Sequence, residues 1–468
     1  MSAAAAERAD VRSVADLYLE PRSIVVLGAS SDPAKLSGRP LDYLKRFGYA
    51  GDLYAVNPRR DTVQGVPAYP SVADVPGPVD LAVVVVPADK VPDAIEECAA
   101  AGVRAATIFA SGFSEAPDGV GVEAQERIAR AVASSDIRVL GPNCLGSFSL
   151  PQKAFATFST AFDVPGEIPD SPIALVSQSG AVGTFTYSTM TSLGLGVRHF
   201  VNTGNEVDVS VVEVLDALVD RDDVDLLLGH LEGFADPIAL DRLCARARAA
   251  GKPLVLLKAG RTSAGDRAIG AHTGSTGGDD AKFNAILEAH GALRARSMEE
   301  MADLAQLLVT GRRAGGPRLS IVTQSGGAGA LTTDVAVDLG LVVEPMADAS
   351  RAEVAALLPF FASTANPLDL TGALINDPSI LDRTLEITLA SDETDVLLVV
   401  LGNSDAAAKE LVEICVKHHD ATTKPFVVAW TGGTGQARAD LLAAGVPTYA
   451  EPVRATEAVA RLVALSRD

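Results

Sequence analysis

The chain has 468 residues, enough for about three domains of ordinary size. Its 39 Lys and Arg and 60 Asp and Glu give a formal net charge of −21, which disfavours a nucleic acid or an anionic membrane as a partner. No apolar run reaches the roughly 18 residues that span a bilayer, the first residues lack a signal-peptide pattern, and the four cysteines fit neither a disulfide framework nor a metal site. We therefore expect a cytoplasmic protein without a membrane segment or a bound metal.

The first 150 residues predict a doubly wound α/β unit. A helix is expected over residues 38–47. Five apolar strands are expected, each ending in a turn that contains Gly, Pro, Asn or Ser: 23–27, 52–56, 80–86, 105–109 and 137–140. Because ligands of such folds bind at the carboxyl ends of the strands, these turns are candidate binding segments.

The turn after the first strand is a poor dinucleotide fingerprint. Gly28 does not begin a G-x-G-x-x-G motif. The second strand ends in Asn57-Pro58, whereas a dinucleotide site has an acid there that hydrogen-bonds the ribose. NAD is therefore disfavoured. The backbone amides of Ser30 and Ser31 are suited to hold a pyrophosphate, with Lys35 nearby. A structural domain that binds no nucleotide stays an alternative.

The rest of the chain contains an internal duplication. Residues 174–180 recur 146 residues later at 320–326. Two further pairs follow in the same order: 225–233 with 395–403, and 252–258 with 424–430. Strands again alternate with helix-like stretches, which predicts parallel sheets. We expect three domains, over residues 15–150, 165–312 and 316–468, joined by linkers rich in Pro and Gly.

In both copies a buried strand ends in Gln-Ser-Gly, and a helix of small residues begins. Small residues let the N-terminal amides of a helix approach an anion, and the helix dipole favours negative charge. The two turns are expected to hold one phosphate, whereas tight strand–helix packing is the alternative. The candidate phosphate-binding residues are Gln178, Ser179, Gly180, Ser325, Gly326 and Gly327.

Residues 258–278 form a glycine-rich segment with a single histidine, His272. Such a segment buries too little apolar surface to order itself strongly, so we expect a functional loop, with a plain linker as the alternative. A neutral imidazole can carry a phosphoryl group when an acceptor on its second nitrogen fixes the tautomer. Glu232, at the end of a strand, is the candidate acceptor. The other histidines are expected to be structural or solvated.

Taken together, these motifs resemble the NDP-forming acyl-CoA synthetases of the succinyl-CoA ligase superfamily. The resemblance covers about residues 15–465. It is carried by residues 141–146, 177–180, 202–206, 231–233, 270–275, 324–327 and 366–370. It implies a Rossmann-like CoA-binding domain followed by two tandem flavodoxin-like domains with doubly wound parallel sheets.

The same resemblance implies roles for individual residues. His272 would be the phosphorylated histidine, and Glu232 the carboxylate that steadies it. The two Gln-Ser-Gly turns, at residues 178–180 and 324–327, would hold the phosphate. The residues implied for the CoA site are Gly28, Ser30, Ser31, Lys35, Asn57, Pro58, Val86, Pro87, Ser111 and Asn143.

The implied reaction interconverts acyl-CoA, NDP and phosphate with carboxylic acid, NTP and CoA, through an acyl phosphate and a phosphohistidine. No segment of this sequence resembles an ATP-grasp domain. We therefore expect the α subunit of a hetero-oligomer, with a dimer of heterodimers left open. An ATP-grasp β subunit would bind NTP or NDP with Mg²⁺.

The residues do not indicate which carboxylic acid is used, whether ADP or GDP is preferred, or which direction prevails. Two other classes of function stay open. One is a non-catalytic CoA-binding regulatory or scaffold protein, although the candidate catalytic residues are all present. The other is an NAD(P)-dependent oxidoreductase.

Overall fold

The computed structural model describes residues 12–163, 166–273, 277–360 and 362–466. The chain divides into two compact units, Met1–Ser188 with Gly196–Met298 and Thr189–Leu195 with Glu299–Asp468. Within the described ranges, none of the helices combines the length and the hydropathy of a transmembrane span.

The first sheet has seven strands and lies in the first unit. The strands are β1 Ser23–Leu27, β2 Asp52–Val56, β3 Thr62–Val63, β4 Val66–Tyr69, β5 Leu81–Val84, β6 Ala105–Ile108 and β7 Arg138–Leu140. Their order is β3-β4-β2-β1-β5-β6-β7, and all neighbours are parallel except β3 and β4. The helices are Val14–Leu19, Arg39–Phe47, Val91–Ala100 and Val122–Ala133. A strand therefore stands at each of the five predicted places, whereas β3 and β4 were not predicted.

The second sheet also has seven strands and lies in the first unit. The strands are β8 Gly146–Ser149, β9 Ala154–Thr157, β10 Ile173–Ser177, β11 His199–Asn202, β12 Leu226–Leu231, β13 Leu254–Lys258 and β14 Leu293–Ala295. Their order is β14-β13-β12-β10-β11-β8-β9. The helices are Gly180–Ser192, Val211–Leu218, Pro237–Ala249, Ser263–Thr273 and Asp280–His290.

Strands β10 to β14 are parallel and have the strand order of flavodoxin. The antiparallel hairpin of β8 and β9 extends this sheet beyond β11. The hairpin spans residue 150, where the sequence analysis ended its first domain. The three predicted domain ranges stay a prediction.

The third sheet lies in the second unit and has five parallel strands. They are β15 Leu319–Thr323, β16 Leu368–Asp369, β17 Val396–Gly402, β18 Phe426–Thr431 and β19 Thr448–Tyr449, in the order β16-β15-β17-β18-β19. The helices are Met298–Leu308, Gly326–Asp338, Asp348–Ala355, Ala373–Asn376, Ser379–Ala390, Ala408–Ala421, Gln436–Ala443 and Pro452–Ser466. This order repeats that of β10 to β14, as the duplication predicts. The predicted fold class is confirmed.

Buried ion pairs fasten the amino ends of the central strands in two of the sheets. Before β5, Asp80 is 2% exposed and accepts hydrogen bonds from Arg12 at 3.0 Å and Arg22 at 3.1 Å. Burial alone would raise the pKa of Asp80, but the hydrogen bonds from Arg22 and the charge of Arg12 hold it below its usual value. In the third sheet, Arg318 before β15 forms a bidentate pair with Asp395 before β17.

The expectation of a loop over residues 258–278 was wrong for its central part, because residues 263–273 form an α-helix. Thr262 starts the helix by accepting a hydrogen bond from the Gly265 amide at 3.1 Å. Asp266 accepts another from the Gly277 amide at 2.6 Å, which closes the segment on itself. These hydrogen bonds stabilise the helix, although the segment buries little apolar surface. His272 lies in the last turn, and its side chain falls outside the described residues, as do residues 274–276.

Candidate functional site

The turns predicted to bind CoA follow neighbouring strands of the first sheet. Gly28 follows β1 and Val86 follows β5, and these two strands pair with each other. Gly28 has φ 84°, and a Cβ placed on it would lie 2.8 Å from Cγ1 of Val86. Only glycine allows this turn to pass so close to its neighbour. The parallel sheet therefore brings the predicted CoA turns to one edge.

The turn at Ser30 is partly occupied by its own contacts. The Ser30 amide donates to the Ser37 carbonyl at 3.1 Å, and the Ser30 hydroxyl accepts from the Asp32 amide at 3.1 Å. Ser31 and Lys35 are exposed beside it. The Ser30 amide is therefore engaged within the chain, and the pyrophosphate contact foreseen for it stays a prediction.

The turn that contains Asn143 packs tightly against residues 203–207, which follow β11. The Gly141 amide donates to the Thr203 carbonyl at 3.0 Å, and the Asn205 amide donates to the Pro142 carbonyl at 2.9 Å. A Cβ on Gly204 would lie 2.3 Å from the Pro142 oxygen. The predicted CoA turn and the segment after β11 therefore form one compact piece.

Gln178 ties together the ends of two neighbouring strands, β10 and β12. Its side-chain oxygen accepts hydrogen bonds from the amides of Glu232 at 2.8 Å and Gly233 at 3.2 Å. In the duplicated domain, Gln324 follows β15 directly. Its side-chain amide donates a hydrogen bond to the carbonyl of Gly402, the last residue of β17. The repeated glutamine thus has a structural function that the sequence analysis missed, because it depends on which strand lies next to β10. Contact between Gln178 and a phosphate stays a prediction.

The serine after each glutamine caps the following helix. Ser325 accepts a hydrogen bond from the Ala328 amide at 3.4 Å, and Ser179 lies 3.5 Å from the Val182 amide. Packing accounts for Gly180, since a Cβ there would lie 2.7 Å from Leu145. Gly327 differs, because a Cβ on it would meet nothing within 4 Å. Close packing therefore accounts for Gly180, and a Cβ on Gly326 would lie 2.9 Å from a carboxylate oxygen of Asp369, so of these three glycines Gly327 alone has open space beside it.

Glu232 lies at the carboxyl end of β12, only 5% exposed. The segment that carries His272 begins and ends beside it. A Cβ on Gly260 would lie 3.5 Å from the Glu232 carbonyl oxygen, and a Cβ on Gly278 would lie 3.2 Å from the Phe234 ring. Both ends of the His272 segment are thus anchored against residues 232–234. The structure therefore brings the base of this segment to the backbone of Glu232, the residue predicted to supply the carboxylate.

Glu206 is the last residue of the motif over residues 202–206, and its conformation and contacts set it apart from the rest of that motif. Glu206 has φ 54°, and its Oε1 accepts hydrogen bonds from the Thr203 hydroxyl and the Val211 amide, both at 2.8 Å. Burial, and after it the charge of Glu232, raises the pKa of Glu206 to about 7. The one feature of the sequence that pointed to Glu206 was an acidic residue directly after Gly-Asn, just beyond the end of a strand.

His230 lies two residues before Glu232 and is buried within β12. Burial lowers its pKa to about 4, so the ring is neutral at physiological pH. Its Nδ1 lies 3.4 Å from the Ser177 hydroxyl, beneath the Gln178 turn. This buried position agrees with the structural role expected for it.

Three family models match the chain: a CoA binding domain over residues 22–148, a succinyl-CoA ligase like flavodoxin domain over 170–308 and a ligase-CoA domain over 319–464. The chain is 32% identical over 461 residues to the α subunit of ADP-forming acetate–CoA ligase I of Pyrococcus furiosus, covering 97% of this chain and 98% of that subunit. The chain belongs to the family of ADP-forming acid–CoA ligases.

Other members of this family are longer. The chain is 31% identical to an ADP-forming acetate–CoA ligase of Methanocaldococcus jannaschii, with 94% of this chain and 62% of that protein covered. It is 30% identical to the trans-feruloyl-CoA synthase of an unknown prokaryotic organism, with 97% and 65% covered. The chain therefore spans somewhat less than two thirds of the length of these two relatives.

A solved structure in this ligase family has the same fold. It is the dinucleotide forming acetyl-coenzyme A synthetase 1 of Ca. Korarchaeum cryptofilum, in complex with phosphate and ADP. It superposes with a TM-score of 0.88 at 32% identity and covers 97% of each chain. The ligase reading is thus favoured over the scaffold and oxidoreductase alternatives.

Proposed function

We propose that this chain is the α-type component of an ADP-forming acid–CoA ligase, which interconverts acyl-CoA, ADP and phosphate with carboxylic acid, ATP and CoA. The observation that carries the proposal is the anchoring of the His272 segment at Gly260 and Gly278 against residues 232–234. This anchoring supports the proposal, because it brings both ends of the segment that carries the predicted nucleophile close to residues 232–234 at the edge of the second sheet.

The first step forms an acyl phosphate. CoA binds at the turns of the first sheet, and phosphate attacks the acyl carbon of the thioester. The bond between acyl carbon and sulfur breaks, a bond from acyl carbon to phosphate oxygen forms, and the CoA thiolate leaves. Helix N-terminal amides at Gly180 stabilise the phosphate charge. In this proposal Ser179 orients that turn.

The second step moves the phosphoryl group to the protein. A nitrogen of His272 attacks phosphorus, the bond to the acyl oxygen breaks, and the carboxylate leaves. Glu232 accepts a hydrogen bond from the other ring nitrogen and offsets the positive charge that develops on the ring. Gln178 holds the backbone of Glu232 in place for this contact. The phosphoryl group then passes from His272 to ADP, which forms ATP.

We propose that ADP and Mg²⁺ bind on an ATP-grasp subunit in a hetero-oligomer. The near-complete match to a ligase subunit named α, beside matches to only 62–65% of two longer relatives, supports such a division. The identity of the carboxylic acid is a separate question. The relatives are named for acetate, ferulate and 4-hydroxybutyrate, so these three acids form the first panel to test.

The test is product formation by the chain co-expressed with an ATP-grasp subunit. Mass spectrometry would follow acyl-CoA made from ATP, CoA and each acid of the panel, extended to branched and longer acids. We expect one acid class to give acyl-CoA and ADP, and the H272N variant to give none. Equal product from H272N would contradict the proposed mechanism. CoA binding with no product from any acid would favour the scaffold alternative.

A further inference from the structure

Asn205 lies beside the predicted CoA site, although it is outside the first predicted domain, residues 15–150. It belongs to the segment that follows β11 of the second sheet, and this segment runs along the end of β7 of the first sheet. The Asn205 amide donates to the Pro142 carbonyl at 2.9 Å, and two residues later the Val207 amide donates to the Gly141 carbonyl at 3.1 Å. The backbone of Asn205 is therefore held against the turn that follows β7.

The side chain of Asn205 contacts the turns after two different strands at once. Its Oδ1 accepts a hydrogen bond from the side-chain amide of Asn143 at 3.3 Å, in the turn after β7. Its Nδ2 donates to Oε2 of Glu115 at 2.6 Å, in the turn after β6, and to Oε1 of Gln125 at 3.2 Å. Because a carboxylate can only accept hydrogen bonds, the contact with Glu115 fixes which end of the Asn205 amide faces each turn.

Glu115 in turn holds the backbone next to Ser111, another residue predicted to bind CoA. Its carboxylate accepts hydrogen bonds from the Gly112 amide at 2.6 Å and from the Phe113 amide at 3.1 Å. Burial alone would raise the pKa of Glu115, but the hydrogen bonds from Gly112 and Asn205 hold it below its usual value. Glu115 is therefore charged at neutral pH, and its contact with Asn205 is a charge-assisted hydrogen bond, which is stronger than a neutral one.

A different asparagine of the same motif holds the turn that is predicted to bind phosphate. The side-chain amide of Asn202, the last residue of β11, donates to the carbonyls of Ser177 at 2.7 Å and Gln178 at 3.0 Å. Its side-chain oxygen accepts from the Leu145 amide at 2.6 Å. Because the Gln178 turn has this contact of its own, a change at Asn205 should leave the phosphate turn in place.

We infer that Asn205 is a positioning residue of the CoA site, which holds the turns of Ser111 and Asn143 in one fixed arrangement before CoA binds. The inference rests on the proposed function, which places CoA at these turns. A site whose groups are already in place binds with a smaller loss of conformational freedom than a site that must first order them. The CoA site therefore depends on a residue that follows a strand of the second sheet.

Exchanging the acid and the amide of the contact tests this inference in the full chain. N205D places a second carboxylate against Glu115, so it should weaken CoA binding by about tenfold or more in titration calorimetry. In the E115Q background a glutamine amide can donate to that carboxylate, and the same N205D change should weaken binding less than about threefold. The matched control is E126Q, which changes an exposed acid that pairs with Arg130 at 3.8 Å. The E126Q background has the same net charge as E115Q and should not rescue N205D.

A kinetic measurement separates positioning of the CoA turns from a general structural defect. The chain would be labelled with radioactive phosphate over a range of concentrations of the acyl-CoA that labels the wild type best. We expect N205D to raise the half-saturating acyl-CoA concentration by about the same factor as the CoA dissociation constant, and to leave the maximal rate within about twofold of the wild type.

Wild-type CoA affinity in N205D would overturn the inference and leave the proposed function standing. A loss of affinity that is equal in the wild-type, E115Q and E126Q backgrounds would do the same, as would a lower maximal rate at an unchanged half-saturating concentration. Absence of both CoA binding and label in the wild type would remove the proposed function as well. If N205D does not fold, N205A replaces it, because alanine removes both contacts without adding a charge. Weaker CoA binding by N205A at an unchanged maximal rate would support the inference, and wild-type affinity would overturn it.

Discussion

Glu232 is the residue on which the proposed phosphoryl transfer depends most after His272. Glutamine at this position keeps the size and the fixed backbone of the strand end but removes the charge. A charge-assisted hydrogen bond contributes about 2–3 kcal/mol, so E232Q should slow phosphorylation by roughly 30- to 150-fold. Rapid-quench labelling would measure this, with E213Q as the control, because Glu213 is an acid of the same domain that is already paired with Arg138 at 3.0 Å. An unchanged rate would remove the orienting role of Glu232 but not the phosphohistidine.

Ser31 tests the CoA assignment at the scale of one side chain. It is exposed on the turn after β1, where a pyrophosphate is predicted. A negative charge there should weaken CoA binding at least about tenfold through repulsion. Titration calorimetry of S31E against wild type would show it. The control is S134E, the same change in the connection to the amino end of β7, at the opposite edge of the sheet. Equal CoA affinity in all three proteins would contradict the assignment.

At the scale of elements, the ion pairs of Asp80 with Arg12 and Arg22 stabilise the first sheet at the amino ends of its strands. D80N keeps the shape of the side chain but leaves the guanidinium groups of Arg12 and Arg22 without their buried anion. We expect a loss of about 3 kcal/mol in the free energy of unfolding. Urea denaturation would measure it. The exposed Asp93, paired with Arg127 at 2.8 Å, is the control, and D93N should cost less than about 1 kcal/mol. Equal losses would contradict this account.

The strands were largely predictable because parallel sheets are buried on both faces. β1, β10 and β15 are mostly apolar five-residue strands in which every residue is buried. The duplication predicted the third sheet from the second. The hairpin of β8 and β9 was missed, because four-residue strands at a sheet edge leave little pattern. The helix Ser263–Thr273 was missed because the contact of Asp266 with Gly277 joins residues that the sequence does not show as neighbours.

The candidate site was predictable only in part, for a related reason. Glu232 follows from its place at a strand end, whereas the contact of Gln178 with its amide requires knowing that β10 and β12 are neighbours. Likewise, the raised pKa of Glu206 comes from burial and from Glu232, 26 residues away in sequence. Motifs show which residues carry chemistry, but the charge state of each depends on what the fold places around it.

At the scale of the whole molecule, we predict a stable complex with an ATP-grasp chain. Co-expression with candidate ATP-grasp chains, followed by size-exclusion chromatography with light scattering, would show a hetero-oligomer of defined mass. Nucleotide-dependent acyl-CoA synthesis should appear only in the fractions that contain both chains. A strictly monomeric chain that makes acyl-CoA from ATP by itself would contradict this prediction.

The most direct measurement is the chemistry of the label on this chain. Incubation with acyl-CoA and radioactive phosphate, with acetyl-, feruloyl- and 4-hydroxybutyryl-CoA as donors, should give a covalent phosphoryl group. Phosphohistidine is labile in acid and stable in base, unlike phosphoserine, and peptide mapping should place it at residue 272. The H272N variant should carry no label. Full labelling of H272N, or a label that survives acid, would contradict the phosphohistidine mechanism.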